Sequence, residues 1–206
     1  MPADDASPAF AQAAAEDGIV LEHESFDWLC EQGHVGLLRV AVDRHDPSLR
    51  EPVTAAVEAL TAIYAGLGGD TAVISNAREN LFLPVDLVHK PTGTLIELDE
   101  SVHFTSHRLA TFELYPPDTR LGYNLDEYKE LCREWASKTD NISRGLAAKG
   151  FGFGGVQKER AYQDALRDLA TPAMGHPPLI RIVALDSDGG AAYQRERDAL
   201  LELLKS

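Results

Sequence analysis

The stretch PVDLVHKPTGTLIELDESVHF, residues 84–104, decides the fold. Two apolar runs flank Lys90-Pro91-Thr92-Gly93, and proline and glycine so placed make a turn. The reading is a hairpin of strands 81–89 and 94–100. Pro84 inside the first run marks an edge, a bulge or a late start of the ladder. Side chains two apart in a strand share a face. Leu95, Glu97 and Asp99 therefore point one way, and Ile96 and Leu98 the other. The first of these faces starts buried and turns acidic. With the turn at 90–93, Asp86 falls on the partner strand, beside the two acids.

Upstream of the hairpin, Asp46 is a fitting N-cap with Pro47 at the first helical position; Ser48 with Glu51 is an alternative capping box. Val53, Val57, Leu60, Ile63 and Tyr64 recur at helical spacing until Gly66, Gly68 and Gly69 end the run. Residues 71–75 and 37–42 read as strands. Residues 9–16 and 24–31 read as short helices, the second carrying Phe26, Trp28, Leu29 and Cys30 and stopped by Gly33. Downstream, Asn124 caps a helix over 125–136, a second helix covers 157–170, a strand follows Pro177-Pro178 over 179–185, and an amphipathic helix over 191–204 closes the chain. This mixed order predicts an α/β fold with an α+β tendency, a central mixed sheet flanked by helices. The expected division is an acidic N-terminal helical segment, 1–45, and a single α/β domain, 46–206, with a helical insertion at about 105–155.

Composition narrows the classes. The chain has 206 residues, 44% apolar and 25% charged, which is globular and long enough for a full core. No apolar run approaches the roughly 20 residues of a membrane span. The start of the chain lacks the pattern of a secretory signal, so a cytoplasmic location and no membrane partner are expected. Two cysteines, Cys30 and Cys132, make no disulfide framework and read as inert core thiols. There are 33 acidic and 19 basic residues, a net charge of −14. Residues 1–31 hold eight acids and no Lys or Arg, so that segment alone supplies −8 of it. Such a balance opposes unspecific polyanion binding without describing any local surface.

The acidic hairpin is where chemistry concentrates. Carboxylates converging beside a core are costly unless a cation neutralises them, and carboxylate oxygen with water suits Mg²⁺ or Mn²⁺. His103, just past the strand, is placed to act as a base or to orient a water or phosphate. The bland alternative is a set of solvated acids at a strand end.

On these residues, 84–104 resembles the core of the restriction-endonuclease-like, PD-(D/E)XK nuclease superfamily. The likeness is greatest to the branch of the very-short-patch repair endonucleases and related small proteins. There an Asp in one strand precedes an apolar strand ending in Glu-x-Asp, with a His soon after; Asp86, Glu97, Asp99 and His103 match in turn. The segment ERAYQDALRDLATPAMGHPPLIRI, 159–182, resembles the later helix and strand of the same family. The resemblance covers about 50–104 and 157–204. It implies a restriction-endonuclease-like core and divalent-metal-dependent phosphodiester hydrolysis on DNA. It further implies metal ligation by Asp86, Glu97 and Asp99, with Glu58 or Glu51 contributed by the preceding helix. Arg160, Asp164, Arg167 and Arg181 would sit in or beside the site, the arginines on substrate phosphate. Glu100 stands where the family has Gly, and the usual Lys is absent, a role Lys158 would have to fill. From spacing alone, Arg160, Asp164 and Arg167 are equally a surface ion-pair ladder. The rival function is a non-catalytic nuclease-fold module that meets a protein partner through the acidic N-terminal segment.

Two other motifs carry less. The glycine-rich run 149–155 lacks the Gly-Lys-Ser/Thr ending of a phosphate loop and reads as a connection or lid, although Phe151 and Phe153 are placed to stack on a base. Asp186-Ser187-Asp188-Gly189-Gly190 has no Glu at the twelfth position of a calcium loop and reads as a turn.

Overall fold

The computed structural model describes residues 6–142 and 144–204. It is a mixed α/β fold. The hairpin forms as its sequence requires: β1 (Leu87–His89) pairs antiparallel with β2 (Thr94–Asp99), in the register Leu87 to Ile96. Gly93 takes φ +69° in the turn, where its N–H donates to His89 O at 2.9 Å. A third strand, β5 (Ile180–Val183), lies parallel to β2 on its other side, with Glu97 opposite Arg181. Parallel neighbours need a long crossover. Here it includes α5 (Ser106–Thr111), α6 (Leu125–Thr139), a two-residue hairpin of β3 (Ala147–Ala148) and β4 (Gly152–Phe153), and α7 (Val156–Ala173).

The alternation of β2 divides the interior. Ile96 and Leu98 join Leu87, Ile180 and Ile182 under α1 (Ser7–Glu16) and α8 (Gly189–Leu204), with Phe10 and Tyr193 in the same cluster. Leu95 faces the larger core, built by α2 (Gly33–Asp43), α3 (Arg50–Gly66), α4 (Thr71–Ser75) and α7. Glu97, Asp99 and Arg181 share the Leu95 face. The polar residues of α7, Asp164, Arg167 and Asp168, are the ones that meet them. Among the described residues no helix is long and apolar enough to cross a membrane.

Five local expectations are corrected. Residues 37–42 belong to α2, because Leu37 and Val40 repeat at helical spacing and are buried while Leu38 and Val42 are exposed. Residues 71–75 are α4; the Asp70 side chain accepts from Ala72 N at 2.9 Å, and that cap overrides the β-branched run. Residues 24–31 are not helical. They run beside 81–83, with Leu83 N donating to Leu29 O at 2.8 Å and Glu31 N to Leu81 O at 2.9 Å. The strand expected over 81–89 is therefore split: its first part pairs with the N-terminal segment and its last three residues with β2. Gly33 opens α2 at φ +52° instead of closing a helix before it.

Other expectations hold in the structure. Asp46 accepts from Ser48 N, Asn124 caps α6, and the last helix and strand fall within a few residues of their reading. The N-terminal segment shares both cores: Phe10 and Ala14 lie under the sheet and Trp28 and Leu29 in the larger cluster, while Glu22 bridges to Val88 on the β1 edge.

Candidate active site

The hairpin register places Asp86 beside Glu97. Asp86 N donates to Glu97 Oε1 at 3.3 Å, and Leu98 N donates to Asp86 Oδ2 at 2.8 Å. Arg167, from α7, brings Nε to 3.3 Å from Glu97 Oε1 and donates from Nη2 to Pro84 O at 2.8 Å. His103 sits in the turn after β2, its Nδ1 3.1 Å from Asp164 Oδ2 and 3.4 Å from Asp99 Oδ1. Asp86, Glu97, His103, Arg160, Asp164 and Arg167 line one cavity of about 250 Å³, together with Ala6 and Ser7 of the N-terminal segment.

Burial controls the charges here. It pushes the Glu97 carboxyl up to about 7, against the pull of Arg167 and with the help of Asp86. Asp86 is raised for the same first reason, partly offset by the Leu98 amide and Arg167. Asp164 goes the other way. Although burial opposes it, His103 and Arg181 hold its carboxyl well below the usual range. His103 is raised in turn: Asp164 and Asp99 outweigh its desolvation.

Behind the cavity lies a buried ionic network. Arg181 Nη1 donates to both oxygens of Asp99 at 2.8 and 3.0 Å, Nε donates to Asp168 Oδ1 at 2.8 Å, and Nη2 donates to Asp164 O at 3.0 Å. Tyr128 donates to Asp99 Oδ2 at 2.7 Å. Asp168 Oδ2 accepts from Arg108, from Tyr115 at 2.8 Å and from Tyr123 at 2.6 Å. Ligand atoms of Asp99, His103 and Asp164 lie within 4.8 Å of one another. With Arg181 and Tyr128 already on both Asp99 oxygens, that trio is part of the ion-pair network.

The predicted residues thus separate. Asp86, Glu97, His103, Arg160, Asp164 and Arg167 meet at one cavity. Asp99, expected as a metal ligand, is a buried partner of Arg181. Arg181, expected on phosphate, is fully enclosed, its guanidinium used up by three aspartates. Asp164 faces His103 and Arg181, so no ladder with Arg160 and Arg167 forms. Lys158 is not among the lining residues; its Nζ lies toward Gly68, 3.8 Å from where a Cβ there would sit. Glu58 and Glu51 occupy exposed positions of α3 and line no part of the cavity. Sequence reasoning missed Arg108, Asp168 and the three tyrosines. For Arg108, Tyr115 and Tyr123 the signal is weak, because 104–123 has no clear periodicity and their partner Asp168 lies 45 or more positions away; Tyr128 reads as an apolar-face residue of α6, and its partner Asp99 is 29 positions back.

Comparison with known proteins adds one finding. Residues 62–149 match DUF7255, a family of unknown function. The match takes in the whole acidic hairpin and His103, but stops before α7 and its arginines. No curated protein and no solved structure matches the chain.

Proposed function

We propose that the cavity between β1, β2 and α7 is a divalent-metal-dependent phosphodiesterase site acting on DNA. The observation that carries this reading is the meeting of Asp86 and Glu97 with Asp164, a histidine and two arginines, from separate parts of the chain, in one cavity. The donor set fits a hard cation. Asp86 Oδ1 and Glu97 Oε2 engage no hydrogen bond among the described residues, and oxygen donors of this kind suit Mg²⁺ or Mn²⁺. Two neighbouring acids raised by burial are the electrostatic condition that a cation relieves. When bound, the ion would polarise a phosphoryl oxygen and lower the pKa of a water.

The chain's own residues supply the remainder. Arg160 and Arg167 are placed to hold non-bridging phosphate oxygens and to balance charge that develops on them. With Nδ1 of His103 held by Asp164, Nε2 is the nitrogen left to exchange a proton with the attacking water or the leaving oxygen. The buried network fixes Asp164 in turn, through the Arg181 Nη2 bond to its carbonyl oxygen at 3.0 Å.

A specific observation favours the second reading, a non-catalytic interaction module. Ala6 and Ser7 of the acidic N-terminal segment line the same cavity. The test is titration of Mg²⁺ and Mn²⁺ into metal-free protein beside Asp86→Asn, followed by incubation with single- and double-stranded DNA. Saturable binding at about one site, lost in the variant together with cleavage, supports the phosphodiesterase. Wild-type protein that neither binds metal nor cuts DNA moves the assignment to the module.

A further inference from the structure

A second cavity, of about 240 Å³, lies on the other flank of α7. Glu159 and Gln163 project into it at i, i+4, and Gln163 also lines the first cavity, so the two adjoin across one helix. Tyr64, Phe151 and Tyr162 wall it, their ring centroids 4.9 to 6.2 Å apart. Glu31 and Lys149 line the same cavity. Glu31 Oε2 accepts no hydrogen bond, and its ion pair with Lys149 Nζ is a long one, 3.9 Å, beyond hydrogen-bond reach. Glu159 is half-buried beside it, its carboxyl raised by burial and by Glu31.

We propose that this cavity receives one unpaired nucleobase of the strand whose phosphate lies in the first cavity, and that it selects guanine. The proposal rests on the phosphodiesterase reading and specifies its substrate. The aromatic and apolar wall, its rings edge-on or tilted to one another, does not discriminate among bases. The polar groups discriminate. A carboxylate accepts and cannot donate, so it suits an edge with adjacent N–H donors. Guanine offers N1–H and N2–H₂ side by side, with the acceptor O6 next to them. Glu31 and Lys149 present the complement, acceptor beside donor. Adenine turns its N1 lone pair toward the same carboxylate, and cytosine and thymine each put a carbonyl where a donor is needed. A base held here must be out of a duplex stack, which makes the substrate single-stranded or locally opened.

The test is calorimetric titration of metal-free protein with GMP, AMP, CMP and TMP, on wild type, Glu31→Gln, Lys149→Met and Asp86→Asn. GMP is expected to bind at least about tenfold more tightly than the other three, as one well-made base-edge pair allows. Glu31→Gln and Lys149→Met should each remove most of that preference, and Asp86→Asn should keep it. All three variants sit at partly exposed positions, and circular dichroism checks their folding. Equal binding of the four nucleotides, no binding of any, or a preference untouched by Glu31→Gln overturns the proposal. Guanine selectivity in a protein that takes up no Mg²⁺ and cuts no DNA would retire the phosphodiesterase and leave the base pocket standing. Metal-dependent cleavage with no guanine selectivity would do the reverse.

Discussion

Glu97 is buried and yet borders the cavity. Its folded value near 7 lies above its ordinary 4.5, so the native state keeps a proton that the unfolded state releases. The native state is then the more protonated between those limits, and stability falls as pH rises from about 4.5 to 7 and stays lower above. Glu97→Gln should therefore raise stability at pH 8 by about 1–3 kcal/mol in urea unfolding, while abolishing any metal uptake. Arg181 is the opposite case. Three aspartates are buried around it, and Arg181→Met leaves them without their shared cation; a loss of about 3–5 kcal/mol is expected from the same measurement. The His103–Asp164 pair has its own pH signature. The raised His103 value gives stability that is complete below pH 6.5 and lost as pH climbs through the folded value; the depressed Asp164 value gives stability lost in acid. Asp164→Asn should lower the His103 pKa, visible as a midpoint moved to lower pH in an NMR titration of its ring protons. An unchanged midpoint would mean that Asp164 does not hold the ring.

Among the elements, the entry into α2 is the most tightly specified. Gly33 stands at φ +52°, and a Cβ there would overlap the hydroxyl of Tyr162. That hydroxyl accepts the His34 N–H at 3.0 Å and bonds His34 Nδ1 at 2.8 Å, so it cannot withdraw freely. Gly33→Ala should cost about 2–3 kcal/mol, whereas Gly18→Ala, at φ +80° with open space around it, should cost about 1 kcal/mol. Thermal unfolding of the two variants separates backbone strain from collision. The elements that could be read from sequence were those with a cap or a strict period: Asn124 before α6, Asp46 before α3, the alternation of β2. Residues 37–42 and 71–75 misled because Val and Ile prefer strands only when a sheet is there to receive them. Here packing on α3 and α7 and the Asp70 cap decided for helix.

At the scale of the molecule, the first and last described helices, α1 and α8, are joined. Phe10 meets Tyr193 edge-on at 5.4 Å, and Asp17 takes Arg197 at 2.6 Å through both oxygens and the Tyr193 hydroxyl at 2.8 Å. This α1–α8 layer covers the face of the sheet opposite the cavity. Phe10→Ala should cost about 3–5 kcal/mol, since a fully buried ring leaves a void in the smaller core. If Phe10→Ala unfolds at wild-type urea concentrations, the N-terminal helix is not part of the folded unit. The acidity of residues 1–31, so marked in composition, says nothing of this: the acids lie on a segment whose apolar residues are in both cores.

The hairpin, its turn and the side-by-side placement of Asp86 and Glu97 were present in the chain as local facts, since strand alternation and a short turn fix which side chains are neighbours. So were the capped helices and the closing strand and helix. What Asp99 and Arg181 do was not. Glu97 and Asp99 share a face two residues apart and look alike in sequence; one borders a cavity and the other is sealed by an arginine 82 positions later. That difference depends on β5 lying beside β2 and on where α7 crosses them, and a crossover sets distances between residues that no local pattern relates.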